Sequence, residues 1–247
     1  MQGAASLGGR VALILASQPG IGAALADGLA QLGAAVAVLG DGDAIRATIR
    51  AGTFIPAQLS SRADVERAFA TAAEQLGPVD VVVVTAVPTI SLESAPFDTL
   101  DEPRWEASCD AALKGALYVL QAAFTHFSGR AGSIVFVGPS VSFSGAPGLV
   151  PLVTAIEGQR ALAKSAARQW GSRGITVNWV AVDPSLFAPA LAEASIPSPP
   201  EPAPAALGRS LDIAADIAPV IGFLASAAGR SVTGATLVQD GGVWMLP

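Results

Sequence analysis

Short apolar runs rich in Val and Ile alternate along this chain with longer stretches in which apolar positions return every three or four residues. The runs at 10–16, 34–39, 53–58, 79–84, 133–137, 176–180 and 236–239 predict strands, and the stretches 20–32, 62–76, 105–127, 153–171 and 213–227 predict helices. Runs that are apolar throughout, rather than at every second position, belong to strands buried on both faces. The expected sheet is therefore parallel, with helices on either side. Several element ends carry punctuation. Ser61 stands three residues before Asp64, a variant of the capping box, and Asp212 precedes the last helix. Gly33, Gly77 and Gly171 fall where helices should stop. Seven strands alternating with helices, with no shift in composition, predict one doubly wound α/β domain over residues 1–247. The exception is 195–206, whose five prolines exclude helix and central strand and predict a stiff surface loop, either a connector or a flap.

Composition narrows the function classes. Charged residues make up 14% of the 247 and apolar ones 51%, with a mean hydropathy of +0.53, which excludes a disordered chain. The 14 basic and 20 acidic residues give a net charge of -6, so nucleic acid is repelled rather than steered in. No apolar run is long enough to cross a bilayer, and residues 1–10 lack the pattern of a signal peptide; the expected location is the cytoplasm, not a membrane. One cysteine, Cys109, and one histidine, His126, leave no internal disulfide and no Cys/His cluster to hold a structural metal. The apolar excess must be buried somewhere, and subunit interfaces are the first expectation.

Between the first strand and its helix lies Leu15-Ala16-Ser17-Gln18-Pro19-Gly20-Ile21-Gly22. A glycine-rich strand-to-helix turn suits phosphate, because backbone N–H groups and the helix dipole face the anion and glycine allows close approach. Two glycines alone are a weak signal. The segment 173–178, Arg-Gly-Ile-Thr-Val-Asn, and the segment 234–242, Gly-Ala-Thr-Leu-Val-Gln-Asp-Gly-Gly, add to it. Together they resemble the short-chain dehydrogenase/reductases, in particular the β-ketoacyl reductase-like branch, from about Leu7 to Met245. The resemblance implies a seven-stranded Rossmann fold with NAD(P) as cofactor, and a lid region that would hold the proline-rich segment 195–206.

Against the family pattern the cofactor motifs are eroded. Leu15 and Ala16 replace a Thr-Gly pair, while Gly20 and Gly22 remain. The family's Asn-Asn-Ala-Gly reads Val84-Thr85-Ala86-Val87 here, so a branched side chain stands where glycine admits the adenosine. The adenine-binding Asp aligns with Gln58, and the acidic residue ending strand two aligns with Gly40, with Asp41 adjacent. By this alignment Ser17, Gly20, Ile21, Gly22, Asp41 and Gln58 are the remnants of a cofactor site. The resemblance with these changes implies no bound cofactor, and NAD(P) if any. A Pro-Gly pair beside the nicotinamide aligns with Val182-Asp183; an inward Asp183 would cost on the order of 1 kcal/mol of cofactor affinity.

The resemblance assigns the family's chemistry to a Tyr that protonates the carbonyl, a Lys four residues later, a Ser and an Asn. These positions hold Leu152, Ile156, Pro139 and Ala112, and Pro139 and Leu152 keep the family's thirteen-residue separation. None supplies a proton donor or a positive charge. A slip of one residue brings in Ser140, Val153 and Glu157 and still yields no Tyr-Lys pair. Tyr118, the single tyrosine, lies inside the helix 105–127. Substitutes near the site are Ser140, Ser142, Thr154, Glu157 and Arg160; Ser140 and Glu157 are the candidates for repurposed chemistry. Their bland readings are loop hydroxyls and an i,i+3 ion pair. His126 should meet the C-terminal carbonyls of its helix, Cys109 should be a small buried residue, and Lys114 reads as part of the fold. The implied function is a catalytically inactive homologue serving as a structural or regulatory subunit. Its partner in a tetramer is a homologous active subunit or itself, and an acyl thioester or ketone is the ligand class. Small residues Ala161, Ala163, Ala166 and Ala167 would allow close helix packing in that tetramer. The alternatives are an NAD(P)-dependent oxidoreductase with a non-standard site, and a ligand or nucleotide sensor without turnover.

Overall fold

The computed structural model describes residues 5–193 and 205–245. All but Ala205 and Ala206 of the proline-rich segment lie outside them. The strands are β1 (Val11–Ala16), β2 (Ala35–Gly40), β3 (Thr53–Pro56), β4 (Val79–Thr85), β5 (Gly132–Pro139), β6 (Ile175–Val182) and β7 (Thr236–Gln239). Every pairing is parallel, in the order β3-β2-β1-β4-β5-β6-β7. Chain order therefore reverses between β1 and β4, which opens a crevice beyond the carboxyl ends of those strands. The predicted strands are all present. β5 and β6 run further than their apolar cores, paired from Gly132 with Ile175 to Pro139 with Val182.

The helices are α1 (Ile21–Gln31), α2 (Asp43–Arg46), α3 (Arg62–Leu76), α4 (Glu102–Trp105), α5 (Ala111–Phe127), α6 (Val150–Trp170), α7 (Pro184–Phe187), α8 (Ala190–Glu193) and α9 (Ala218–Ala225). Two differ in kind from the sequence reading. The predicted helix 105–127 starts earlier, where Asp101 accepts from the Arg104 N–H at 2.9 Å, and passes through a π turn at Glu106–Asp110 before α5. The predicted 213–227 opens with a π turn, Ile213–Ile217, capped by Asp212, which accepts from the Ala215 N–H at 2.7 Å. Such turns break the 3.6-residue period and leave no signature in it.

The punctuation holds except at one place. Gly33 and Gly77 have φ of 94° and 96°. Gly171 closes α6 where expected, at φ -54°, and the chain continues as a 3₁₀ turn to Gly174, which at 76° makes the left-handed exit. Ser61 accepts from the Asp64 N–H at 3.3 Å, but Asp64 does not reach back to Ser61. It accepts from the Gln58 N–H and from Arg67, which pins the loop after β3.

β1 and β4 are buried almost throughout, and Phe136 of β5 stacks on Trp179 of β6 with centroids 5.6 Å apart. Gly138 makes room for that stack, since a Cβ there would lie 2.3 Å from the Trp179 ring. This interior absorbs most of the apolar excess. Among the described residues the exposed large apolar side chains are Phe97, Leu117, Leu207 and Met245. Ala163, Ala166 and Ala167 are also buried within the subunit, and only Ala161 of that set is exposed. No helix among the described residues is long and apolar enough to cross a membrane.

Candidate functional site

A cleft of about 400 Å³ opens at the reversal point, lined by Ala16 and Ser17 after β1, Asp41 and Ile45 after β2, Gln58 to Ser60 after β3, Ala86 to Thr89 after β4, and Ala107, Ala111, Ala112 and Gly115 near the start of α5. Asp41 is the one charged residue in that lining. Gly20 begins α1 at φ 100°, ψ -68°, a conformation for glycine, and no side chain caps the helix. The close packing beneath the turn has a definite cause. A Cβ on Gly22 would sit 2.5 Å from the Ala16 Cβ, and one on Gly40 would sit 2.8 Å from the Ala16 carbonyl oxygen. The Ala16 methyl thus requires glycine at position 22, and the Ala16 backbone carbonyl requires it at position 40.

Side chains tie the β1 turn to the β4 turn. Ser17 Oγ accepts from the Val87 N–H at 2.8 Å and donates to the Val87 carbonyl. Gln18, 6% exposed, donates from Nε2 to the same carbonyl at 3.3 Å and to Thr89 Oγ1 at 3.2 Å. Lower down, the Thr85 hydroxyl donates to the Leu15 carbonyl at 3.1 Å. Of the positions read as cofactor remnants, Ser17 is thus engaged with protein. Gly20 is exposed, and Ile21 and Gly22 are buried in the first turn of α1. Asp41 and Gln58 are exposed at the cleft. Asp183 does not spend its charge on the crevice. It caps α7, accepting from the Ser185 N–H at 2.8 Å and from the Ser185 hydroxyl.

Ala112, Pro139, Leu152 and Ile156 are all buried, Leu152 at 0% and Ile156 at 1% exposure. Ile156 packs towards Gly138 and Trp179, into the end of the sheet. One turn further along α6, the buried Gln159 donates to the Ala86 carbonyl at 3.0 Å and the Ala112 carbonyl at 3.2 Å. Gln159 is the residue that sequence reasoning missed. Its polar side chain on the apolar face of an otherwise regular helix was the available signal.

The substitute residues are placed as follows. Ser140 is fully buried and its Oγ has no hydrogen-bond partner. A serine nucleophile needs a base within hydrogen-bond reach, and Ser140 has none. Ser142 is buried and Thr154 exposed. Glu157 Oε2 is paired with Arg160 in the i,i+3 arrangement, and Arg160 also lies over the Phe143 ring. Glu157 Oε1 is buried without a partner. Cys109 is buried, which pushes its thiol pKa up and away from reactivity, helped by Asp110. Tyr118 lies under the Arg62 guanidinium on the α3 side of α5, and Lys114 is exposed.

His126 is not a cation at the end of its helix. Its Nε2 accepts from the Val79 N–H at 3.1 Å, a bond that requires the neutral ring. Burial lowers its pKa, Arg130 adds to that, and Asp80 opposes both. Among the described residues no cluster of three His, Cys, Asp or Glu could hold a metal.

A doubly wound parallel sheet with a glycine turn at its reversal point defines a Rossmann-type fold. A family model described as enoyl-(acyl carrier protein) reductase matches residues 15–244. The chain is 32% identical to a short-chain dehydrogenase/reductase of Hericium erinaceus, covering 94% of this chain and 96% of that one. It is 34% identical to the cis-4-hydroxycyclohexanecarboxylate dehydrogenase of Sinomonas cyclohexanicum, covering 94% and 96%. It is 31% identical to a 3-oxoacyl-[acyl-carrier-protein] reductase of Staphylococcus aureus, covering 95% and 98%. A crystal structure of a dehydrogenase/reductase from Sinorhizobium meliloti superposes with a TM-score of 0.78 at 26% identity, covering 98% of both chains. The chain belongs to the short-chain dehydrogenase/reductase family.

Proposed function

We propose that this member of the family does not carry out hydride transfer and serves as a structural or regulatory subunit of a cytoplasmic tetramer, beside an active homologue or copies of itself. One observation carries the reading: Leu152 and Ile156, at the positions where the family places its proton donor and lysine, are closed into the core at 0% and 1% exposure. With Ala112 and Pro139 beside them, the acid-base route has no group that can give or take a proton. Ser17 and Gln18, in the turn that would face a dinucleotide, are bonded to the turn after β4. Neither Ser140 nor the paired Glu157 offers a replacement.

The tetramer reading draws support from the outer faces of α5 and α6. There Leu117 is 38% exposed, and Leu113, Phe124, Leu162 and Trp170 are only half-buried. The relatives' names suggest an acyl thioester or a ketone as the substrate class of such an assembly. A second reading, ligand binding without turnover, is favoured by the cleft of about 400 Å³.

Co-expression with a homologous reductase, followed by size-exclusion chromatography with light scattering, tests the subunit role. The expected result is a shared tetramer peak, or a homotetramer when the chain is alone. A chain that stays monomeric in both preparations, or that alone oxidises NADPH with a β-ketoacyl thioester, overturns it.

A further inference from the structure

The two long helices α5 and α6 lie side by side and run in the same direction. Gln159 donates to the Ala112 carbonyl, and a Cβ on Gly158 would lie 2.6 Å from Leu113, so residues 112–113 and 158–159 stand at one level. Both helices start near the carboxyl ends of the strands, where Ala111 and Ala112 line the cleft and Ile156 packs towards Gly138. Both end at the opposite edge of the sheet, where His126 meets the start of β4 and the Gly174 carbonyl accepts from the Gly132 N–H. Counted from the common level, Leu117 stands beside Leu162. Around these two the outward face is apolar: Leu117 is exposed, and Leu113, Phe124, Leu162 and Trp170 are half-buried. The charges divide by end. Glu106, Asp110 and Glu157 come before that level, whereas Lys164, Arg168 and Arg173 come after it, and residues 158–182 hold no acid. The cations on the acidic side are Arg160, which is paired with Glu157, and the exposed Lys114.

We propose that a second copy of this chain docks antiparallel on this face, about a twofold axis that crosses α5 at Leu117 and α6 beside Leu162. The proposal rests on the tetramer reading above and deepens it by naming the partner and the register. A twofold contact is made by one patch on itself, so the patch has to complement its own rotated image. Asp110 stands seven residues before Leu117 and Phe124 seven after it, about 10 Å to either side at the rise of a helix. Arg173 lies over the Phe124 ring, 4.8 Å from its centroid. Rotation therefore brings Asp110 of each copy to Arg173 of the other. On α6, Glu157 stands five residues before Leu162 and Arg168 six after it, and the same rotation brings these together. Helical spacing puts Asp110, Leu113 and Leu117 on one face of α5, and the exposed Ala161, Ser165 and Arg168 on one face of α6. Among the described residues Asp110, Arg168 and Arg173 have no ion-pair partner within the subunit. A parallel arrangement would set acid on acid and cation on cation, so the charges select the antiparallel one.

Sedimentation equilibrium on the full chain, with no other protein present, measures the association constant of wild type, Asp110→Arg and Arg173→Glu. Each single variant sets like charges together at two symmetry-related places and should weaken the association about tenfold or more. An equimolar mixture of the two variants should return to within about threefold of wild type, because each mixed pair again holds an acid against an arginine at both places. Added salt should weaken the wild-type association and strengthen that of either single variant. Should a charge variant fail to fold, Leu117→Arg replaces it, at a position already 38% exposed, and should abolish the same association step by placing two charges on the axis. Wild type that stays monomeric alone, or variants that associate as wild type does, overturn the antiparallel pairing; assembly with a homologous reductase would then leave the subunit role standing. Single variants that stay weak when mixed overturn the pairing as well. Reduction of a ketone by wild type overturns the non-catalytic reading instead and leaves the pairing in place.

Discussion

Ser17 Oγ and the Val87 backbone exchange two hydrogen bonds between the turns that follow β1 and β4, one in each direction. Val87 is 1% exposed, so its N–H has no water to turn to when the hydroxyl is removed. Ser17→Ala should therefore lower the unfolding free energy by about 1–3 kcal/mol, read from urea midpoints at constant m. A loss below the error of that measurement would mean that water replaces the hydroxyl and that the two turns are not fastened by it.

Ile156 is part of the core. At 1% exposure, packed towards Gly138 and Trp179, it leaves no room for a solvated ammonium. Ile156→Lys should cost about 3 kcal/mol or more, because the charge is buried without a partner. The double change Leu152→Tyr with Ile156→Lys should not restore ketone reduction, as measured by NADPH oxidation. Recovery of turnover in that variant would show that the site needs only its two side chains.

Gln159 joins three elements through one amide. Replacing it with Leu keeps the volume roughly but strips hydrogen bonds from the Ala86 and Ala112 carbonyls, both in buried surroundings. The expected loss is about 1–3 kcal/mol. Gln159→Glu should be worse than Gln159→Leu at neutral pH, since a carboxylate facing two carbonyl oxygens adds repulsion. The order of the two thermal midpoints checks this.

His126 gives the fold a pH dependence with a definite sign. Its folded pKa lies below the ordinary 6.5, chiefly through burial, so the unfolded chain takes up this proton first as pH falls. Its contribution is complete above about 6.5 and is lost as the pH falls through the lowered folded value, where protonation also removes the acceptor for the Val79 N–H. Urea midpoints measured between about pH 5 and 8 should rise with pH. The His126→Gln variant should show a flatter slope. As the single histidine in the chain, His126 can be titrated directly by its ring-proton NMR signal.

The strands were legible because a parallel strand covered on both faces has to be apolar along its whole length, and Val81 to Val84 or Ile134 to Val137 admit little else. The ends were less legible. Pro139 closes β5 only because β6 runs beside it to Val182, and a pairing partner is not written in a strand's own residues. Gly171 ends α6 without the left-handed exit, which falls to Gly174: glycine permits that conformation but does not require it. The resemblance singled out Leu152, Ile156, Pro139 and Ala112, but not that all four are buried, which only the packing shows.

The sequence by itself determined the sheet and its helices. Those are properties of periodicity and residue type, which are local. Tertiary structure alone decided that Ser17 meets Val87 at a separation of 70 residues and that Gln159 meets Ala86 and Ala112 at separations of 73 and 47. A hydrogen bond is directional and closes within about 3 Å, so its partner is chosen by how the strands and helices stack. That choice fastened the turn after β1 to the turn after β4.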